Sequence, residues 1–267
     1  MRDVRPPRTP AGHPCLYWLA PLALGLMSGP IFAAPSPVLA RGDALYAEGR
    51  VADAREAWAS GVDTDPEPPT LLCRLARVES EMAEDAQGET QRQLAMSAVA
   101  RARAAVKMAP DSADSHLWLA VSLGRQALRE GPRTKLALSR EIKSEADRTI
   151  ALNPSLGRAY HVRAIWNRSL ATLSFFERGM AGAVLGGVPA GATMDNAVRD
   201  LQRATELEPD NVNHHLELGR TYMMLKDSPA ARRELERAIA LPPVSSARDP
   251  RYQEEARSLL ARLAKKG

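Results

Sequence analysis

The residues with the most chemical potential in this chain are arginines, histidines and one aromatic pair, and their spacing sorts them by role. Arg77, Arg125, Arg158, His161, Arg168, Arg220, Met223 and Met224 fall in phase on successive helical segments. Arginine offers a planar fork that matches carboxylates, and methionine adapts to irregular apolar shapes. Together they describe a groove for an acidic, partly apolar protein segment. Phe175 and Phe176 stand apart, among Leu173, Met180, Val184, Leu185 and Val188 and several glycines. Such a stretch can cover a cavity, touch a membrane surface or meet a partner.

Catalytic chemistry finds little support. His116, Tyr160 and His215 occupy equivalent bulky positions of successive segments, which marks them as packing residues. No His, Cys or Asp set has metal-ligand spacing, so neither a metal nor another cofactor is expected. Cys73 has no partner motif for a nucleophile. The glycines from Gly182 to Gly187 lack the Gly-Lys-Ser/Thr that completes a phosphate loop. There is no Gly-x-Ser-x-Gly and no dinucleotide fingerprint. The sequon Asn167-Arg168-Ser169 falls inside a predicted helix. The chain carries 36 Lys+Arg against 32 Asp+Glu, a net charge of +4, without a long basic run that would suggest nucleic acid.

The elements that must position these groups repeat. Five segments end in a helix followed by proline, at Pro66, Pro110, Pro154, Pro209 and Pro243, spaced by 44, 44, 55 and 34 residues. Thirty-four is the period of the tetratricopeptide helix-turn-helix unit. Gly42 to Ala54 and Gly219 to Ala231 are both twelve residues. Small residues recur where paired helices approach, and Trp58, Leu201 and Leu235 fill the gaps between them. The sequence therefore predicts an all-α tetratricopeptide-repeat solenoid of about five helix pairs over residues 34–248. Excess residues are expected near 84–94, 128–138 and 170–192, as longer helices or longer turns. Asp249-Pro250 opens a stripe of Tyr252, Ala256, Leu259, Leu260 and Leu263, which reads as a capping helix over 249–267.

The first residues read differently. Arg2, Arg5 and Arg8 precede an apolar run from Cys15 to Met27, followed by small residues. This pattern predicts a secretory signal peptide over 1–33, with cleavage after residue 40 as the alternative. Cleavage would remove three arginines and one aspartate and lower the net charge from +4 to +2. It would also leave Cys73 as the sole cysteine, excluding an internal disulfide. The expected address is a bacterial periplasm, or a membrane if the leader is retained as an anchor.

The stretch from Phe175 to Thr193 resembles the apolar insertion of the regulator-of-microtubule-dynamics family. That pattern has an aromatic, an arginine, a Gly-x-x-Pro turn and a threonine opening the next helix. Ile142-Lys143, Ala151 to Pro154, Ala204 to Pro209, Leu218-Gly219-x-x-Tyr222 and Ala238 to Pro243 are similar as well, so the likeness spans roughly residues 68–263. The resemblance implies an α-solenoid with interaction roles, in a family whose eukaryotic members associate with microtubules and mitochondria. The leader departs from that pattern, so the expectation carries the fold and not the tubulin partner.

Two functions follow as expectations. The first is a non-enzymatic exported scaffold that docks a protein segment in its concave groove, with oligomeric state undetermined by the sequence. The second is a carrier of a lipid or other apolar ligand, in a cavity closed by residues 173–188. A ligand-sized apolar cavity would favour the carrier, and a filled interior would oppose it.

Overall fold

Proline and small residues set the helix boundaries of this chain. The structure, a computed structural model, describes residues 36–65, 67–173, 191–244 and 246–265. The predicted signal peptide, Phe175, Phe176 and most of the 170–192 insertion lie outside the described residues. Eleven helices are described: α1 Pro37–Ala47, α2 Val51–Ala59, α3 Pro68–Asp85, α4 Gly88–Met108, α5 Ala113–Ala127, α6 Pro132–Leu152, α7 Gly157–Ala171, α8 Met194–Leu207, α9 Val212–Met224, α10 Ser228–Ala240 and α11 Asp249–Ala264. They form an all-α tetratricopeptide-type solenoid of five pairs, α1/α2 to α9/α10, followed by α11. None of the described helices is long and apolar enough to cross a membrane.

The repeated prolines explain the repeated turns. A residue before proline is pushed out of helical geometry by the pyrrolidine ring. Ala109, Asn153 and Glu208 precede Pro110, Pro154 and Pro209, and their φ values are −134°, −143° and −131°. Helices α4, α6 and α8 therefore stop in the same way. Ser112, Thr193, Asn211 and Asp227 then cap α5, α8, α9 and α10 by accepting backbone N–H bonds, which satisfies donors that the helix leaves unpaired. His116, Tyr160 and His215 share a further role. His116 Nε2 and His215 Nε2 lie 2.8 and 3.0 Å from the carbonyls of Pro110 and Pro209, and the Tyr160 hydroxyl donates to that of Pro154 at 3.1 Å. Each fastens its helix to the turn before it.

The extra ten residues of the second and third pairs lie in helix. Helices α4 and α6 each run 21 residues, and α3 runs 18, with only Ala86 and Gln87 between α3 and α4. Within pairs, helices meet at small residues. A methyl group on Gly219 would stand 2.8 Å from Leu235 Cγ, and one on Gly42 would stand 2.2 Å from Trp58 Nε1. Gly219→Ala is therefore expected to lose about 1–3 kcal/mol through overpacking, read as a lowered denaturation midpoint.

Between pairs, α3 packs on α5, α5 on α7 and α9 on α11, so the first helices of the units line one face. Apolar clusters run through the stack. Tyr46, Trp58, Leu71 and Val78 join α1 to α3, and Ala76, Leu119, Leu123, Ile142 and Trp166 join α3 to α7. Leu216, Leu235, Leu241 and Ala256 seal α9 to α11. The stack curls far enough to meet itself. Arg248, just before α11, donates to the Glu81 carbonyl at 2.9 Å and pairs with Glu84 at 2.6 Å and Asp85 at 3.1 Å. Arg251 adds a contact to Asp85 at 2.5 Å, and the Tyr46 hydroxyl lies 3.5 Å from Ser246 Oγ. Arg248 is buried. Its replacement by alanine is expected to loosen this closure and lower stability by about 1–3 kcal/mol.

Candidate functional site

Curling around α5 and α7 leaves a cavity of about 770 Å³ on the inner face. Helix α5 contributes Leu117, Trp118, Val121 and Leu128, the last just beyond its end. Helix α7 contributes Val162, Ile165 and Trp166. The three- and four-residue spacing puts each set on one helical stripe. Ser246, Asp249 and Tyr252, at the closing turn and the start of α11, form part of the wall.

Four of the ten residues singled out from sequence line this cavity: Arg77, Arg125, Arg158 and His161. Their charges face protein partners. Arg77 bonds Glu81 at 3.2 Å, with its guanidinium 4.3 Å from the Tyr46 ring centroid. Arg125 pairs with Glu84 at 3.1 Å, and its buried Nη1 makes no hydrogen bond among the described residues. Arg158 stands 3.9 Å from Glu208 and 6.0 Å from the Trp118 ring centroid.

Arg168, Arg220, Met223 and Met224 do not line this cavity. Arg168 is buried between α7 and α9, bonding the Glu217 carboxylate, the Glu217 carbonyl at 3.1 Å and Thr221 Oγ1 at 2.9 Å. Arg220 reaches Glu217 at 3.2 Å and Glu255 on α11 at 2.5 Å. Met223 packs on the apolar cluster of α9 to α11, and Met224 is exposed. Position within a repeat fixed their helix but not which neighbouring acid would claim them. The sequon Asn167 is buried, and its Nδ2 donates to Asp200 at 3.2 Å, so the side chain is engaged in packing.

Sequence reasoning missed Trp118, Val121, Ile165, Trp166, Glu208 and His214. The apolar members share the periodicity of the core, so only the curl of the stack separates wall from core. Glu208 and the buried His214 join His161 in a cluster on the cavity wall, with His161 Nδ1 2.9 Å from His214 Nδ1 and His214 Nε2 3.1 Å from Glu208 Oε2. Burial, then the nearby charges of His214, Arg168 and Arg125, hold His161 well below the usual 6.5. Burial also lowers His214, with Arg158 and His215 adding to it against the opposing pull of Glu208. Burial alone would raise the Glu208 carboxyl, but hydrogen bonds from His214 and the Arg158 amide, with their charges, hold it down at about 2.

These shifts fix a sign. Below pH 6.5 the unfolded histidines take up protons that the folded pair refuses. Their contribution is fully present above about 6.5 and is lost as pH falls toward the folded values, at up to about 1.4 kcal/mol per unit for each histidine. Thermal midpoints measured from pH 7.5 to 5 are expected to fall, and to fall less steeply in His161→Phe.

No group of His, Cys, Asp and Glu among the described residues could hold a metal ion. Burial pushes the Cys73 thiol up to about 11, which leaves it unreactive at neutral pH.

Residues 38–264 match the family described as Regulator of microtubule dynamics protein 1-3. The mouse Regulator of microtubule dynamics protein 1 is 28% identical over 229 residues, covering 85% of this chain and 74% of the relative. The cattle protein 1 is 29% identical over 226 residues, covering 84% and 70%. The rat protein 3 is 30% identical over 197 residues, covering 73% of this chain and 41% of the relative. Among solved structures, a thermophilic TPR protein of Thermus thermophilus superposes with a TM-score of 0.62 at 18% identity, covering 85% of this chain and 97% of that one. That likeness shows the tetratricopeptide fold. The expected bacterial periplasmic address is overturned: these relatives are animal proteins named for microtubule dynamics. With its matched region running from the first described helix to the last, the chain belongs to the regulator of microtubule dynamics protein 1-3 family.

Proposed function

We propose that this scaffold binds a predominantly apolar occupant in its inner cavity, and that the occupant is a lipid-like small molecule. The cavity carries the reading: about 770 Å³ lies within the range that accommodates ligands, and its wall includes Leu117, Trp118, Val121, Val162 and Ile165. Two further features support a compact ligand over a long acidic segment. The closure of Arg248 onto α3 shortens the groove. The arginines offered by the sequence already pair with Glu81, Glu84, Glu208 and Glu217.

Native mass spectrometry of the full-length protein from its own host tests the proposal. A bound mass of lipid size is expected, and Val121→Trp with Ile165→Trp, which fill the cavity, should remove it. A bare mass, together with no uptake of Nile red, would overturn it. A second reading has the cavity accept apolar side chains of a docked protein segment. Leu128, 74% exposed beside the wall, favours it as an anchor at the rim. The relatives' name suggests microtubule dynamics as the process served, and co-sedimentation with tubulin polymers, lost in the same double variant, checks it.

A further inference from the structure

Arg77, Arg125 and Arg158 on the cavity wall pair with Glu81, Glu84 and Glu208, and Arg125 Nη1 is sealed within protein. His161 is different. Its Nε2 has no hydrogen-bond partner among the described residues, and the side chain is one of those that line the cavity.

The proton on His161 can be placed by following the hydrogen bonds inward. Glu208 Oε1 accepts from the Arg158 backbone N–H at 3.1 Å. Glu208 Oε2 accepts from Asn211 Nδ2 at 3.1 Å and faces His214 Nε2 at the same distance. An ionised carboxylate has no proton to donate, so His214 Nε2 carries the hydrogen. Neutral His214 then presents a lone pair at Nδ1. The 2.9 Å contact to His161 Nδ1 needs one proton, and His161 must supply it. Neutral His161, protonated at Nδ1, is left with a lone pair at Nε2. The low carboxyl pKa of Glu208 and the depressed values of both histidines agree with these ionisation states at neutral pH.

We propose that His161 Nε2 is a hydrogen-bond acceptor that selects the cavity's occupant, an apolar molecule ending in a neutral donor such as an alcohol hydroxyl or an amide N–H. This inference rests on the cavity being the binding site. An occupant ending in an acceptor would leave two lone pairs facing each other in a largely apolar space, and an unmade bond of that kind is penalised strongly. Glu208 and His214 act as positioning residues through His161.

Displacement of Nile red from the full-length protein by 1-dodecanol and by dodecyl methyl ether tests the selection. The two share a chain, and only the alcohol donates. Wild type is expected to favour the alcohol about tenfold more than His161→Phe does. Glu208→Gln should keep the same tautomers and the alcohol preference, because an amide oxygen at the Oε2 position still accepts from both Asn211 Nδ2 and His214 Nε2. Long-range ¹⁵N–¹H imidazole spectra of the wild type read the tautomers without any variant.

A His161 proton found on Nε2 in wild type would overturn the proposal. So would an unchanged alcohol-to-ether ratio in His161→Phe while both probes still bind. Failure of both probes to displace Nile red, or of Nile red to bind, would instead overturn the underlying cavity reading and the selection with it.

Discussion

Arg168→Ala is expected to lower the stability of the folded chain by about 3 kcal/mol, measured by urea denaturation. The arginine is buried and ties α7 to α9 through the Glu217 carboxylate, the Glu217 carbonyl and Thr221. Removing it leaves the Glu217 side chain, 11% exposed, with only Arg220 beside it at 3.2 Å. Breaking one partner of a buried pair is far more damaging than replacing both, because the surviving charge stays in a poorly solvating site. Arg168→Met with Glu217→Met should therefore recover much of the loss. A single-variant loss below about 1 kcal/mol would show the pair to be solvated and the account wrong. The same geometry changes the meaning of charge reversal here: Arg168→Glu would act through folding, whereas Arg220→Glu, at a half-buried position outside the cavity wall, should leave Nile red affinity unchanged.

The repeat was legible because its physical requirements leave marks in one dimension. Helices that cross closely need Gly42 or Gly219 opposite Trp58 or Leu235, and Pro110, Pro154 and Pro209 end helices wherever they occur. Amphipathic phase also placed Arg77, Arg125, Arg158 and His161 on the inner face. What phase could not supply was partnership between units. Glu84 meets Arg125 from the preceding unit, Glu208 meets Arg158 across its own pair, and Glu217 meets Arg168 from the following unit. Each pairing turns a candidate ligand contact into a structural one. The His161–His214 contact spans 53 residues and depends on how adjacent units rotate. The cavity was hidden for a related reason. Val121 and Ile165 lie on the same helices as buried core residues such as Leu119, Leu123 and Ala164, and helical phase alone does not tell which set lines space.

Trp58→Ala should be the most damaging substitution in the first unit, at about 3–5 kcal/mol, because the side chain is fully buried and nothing nearby can fill its volume. It packs on Tyr46 with ring centroids 5.9 Å apart and covers the backbone of Gly42. Trp58→Phe should be much milder. The indole N–H has no hydrogen-bond partner among the described residues, so phenylalanine forfeits packing volume but no bond. In a solenoid each unit is held chiefly by its neighbours, so the damage should be local. Hydrogen exchange is expected to show early loss of protection in α1 and α2, followed by the amides of α3 that carry Glu81 and its bond to Tyr46 at 2.7 Å. Since Tyr46 also touches Ser246, fraying of the first unit should weaken the turn that closes the cavity. Trp58→Ala is thus expected to weaken Nile red binding although Trp58 is absent from the cavity wall, and Trp58→Phe to preserve it. Uniform loss of protection along the whole chain would contradict this order and would mean that closure of the curl has made the repeats unfold as a single unit.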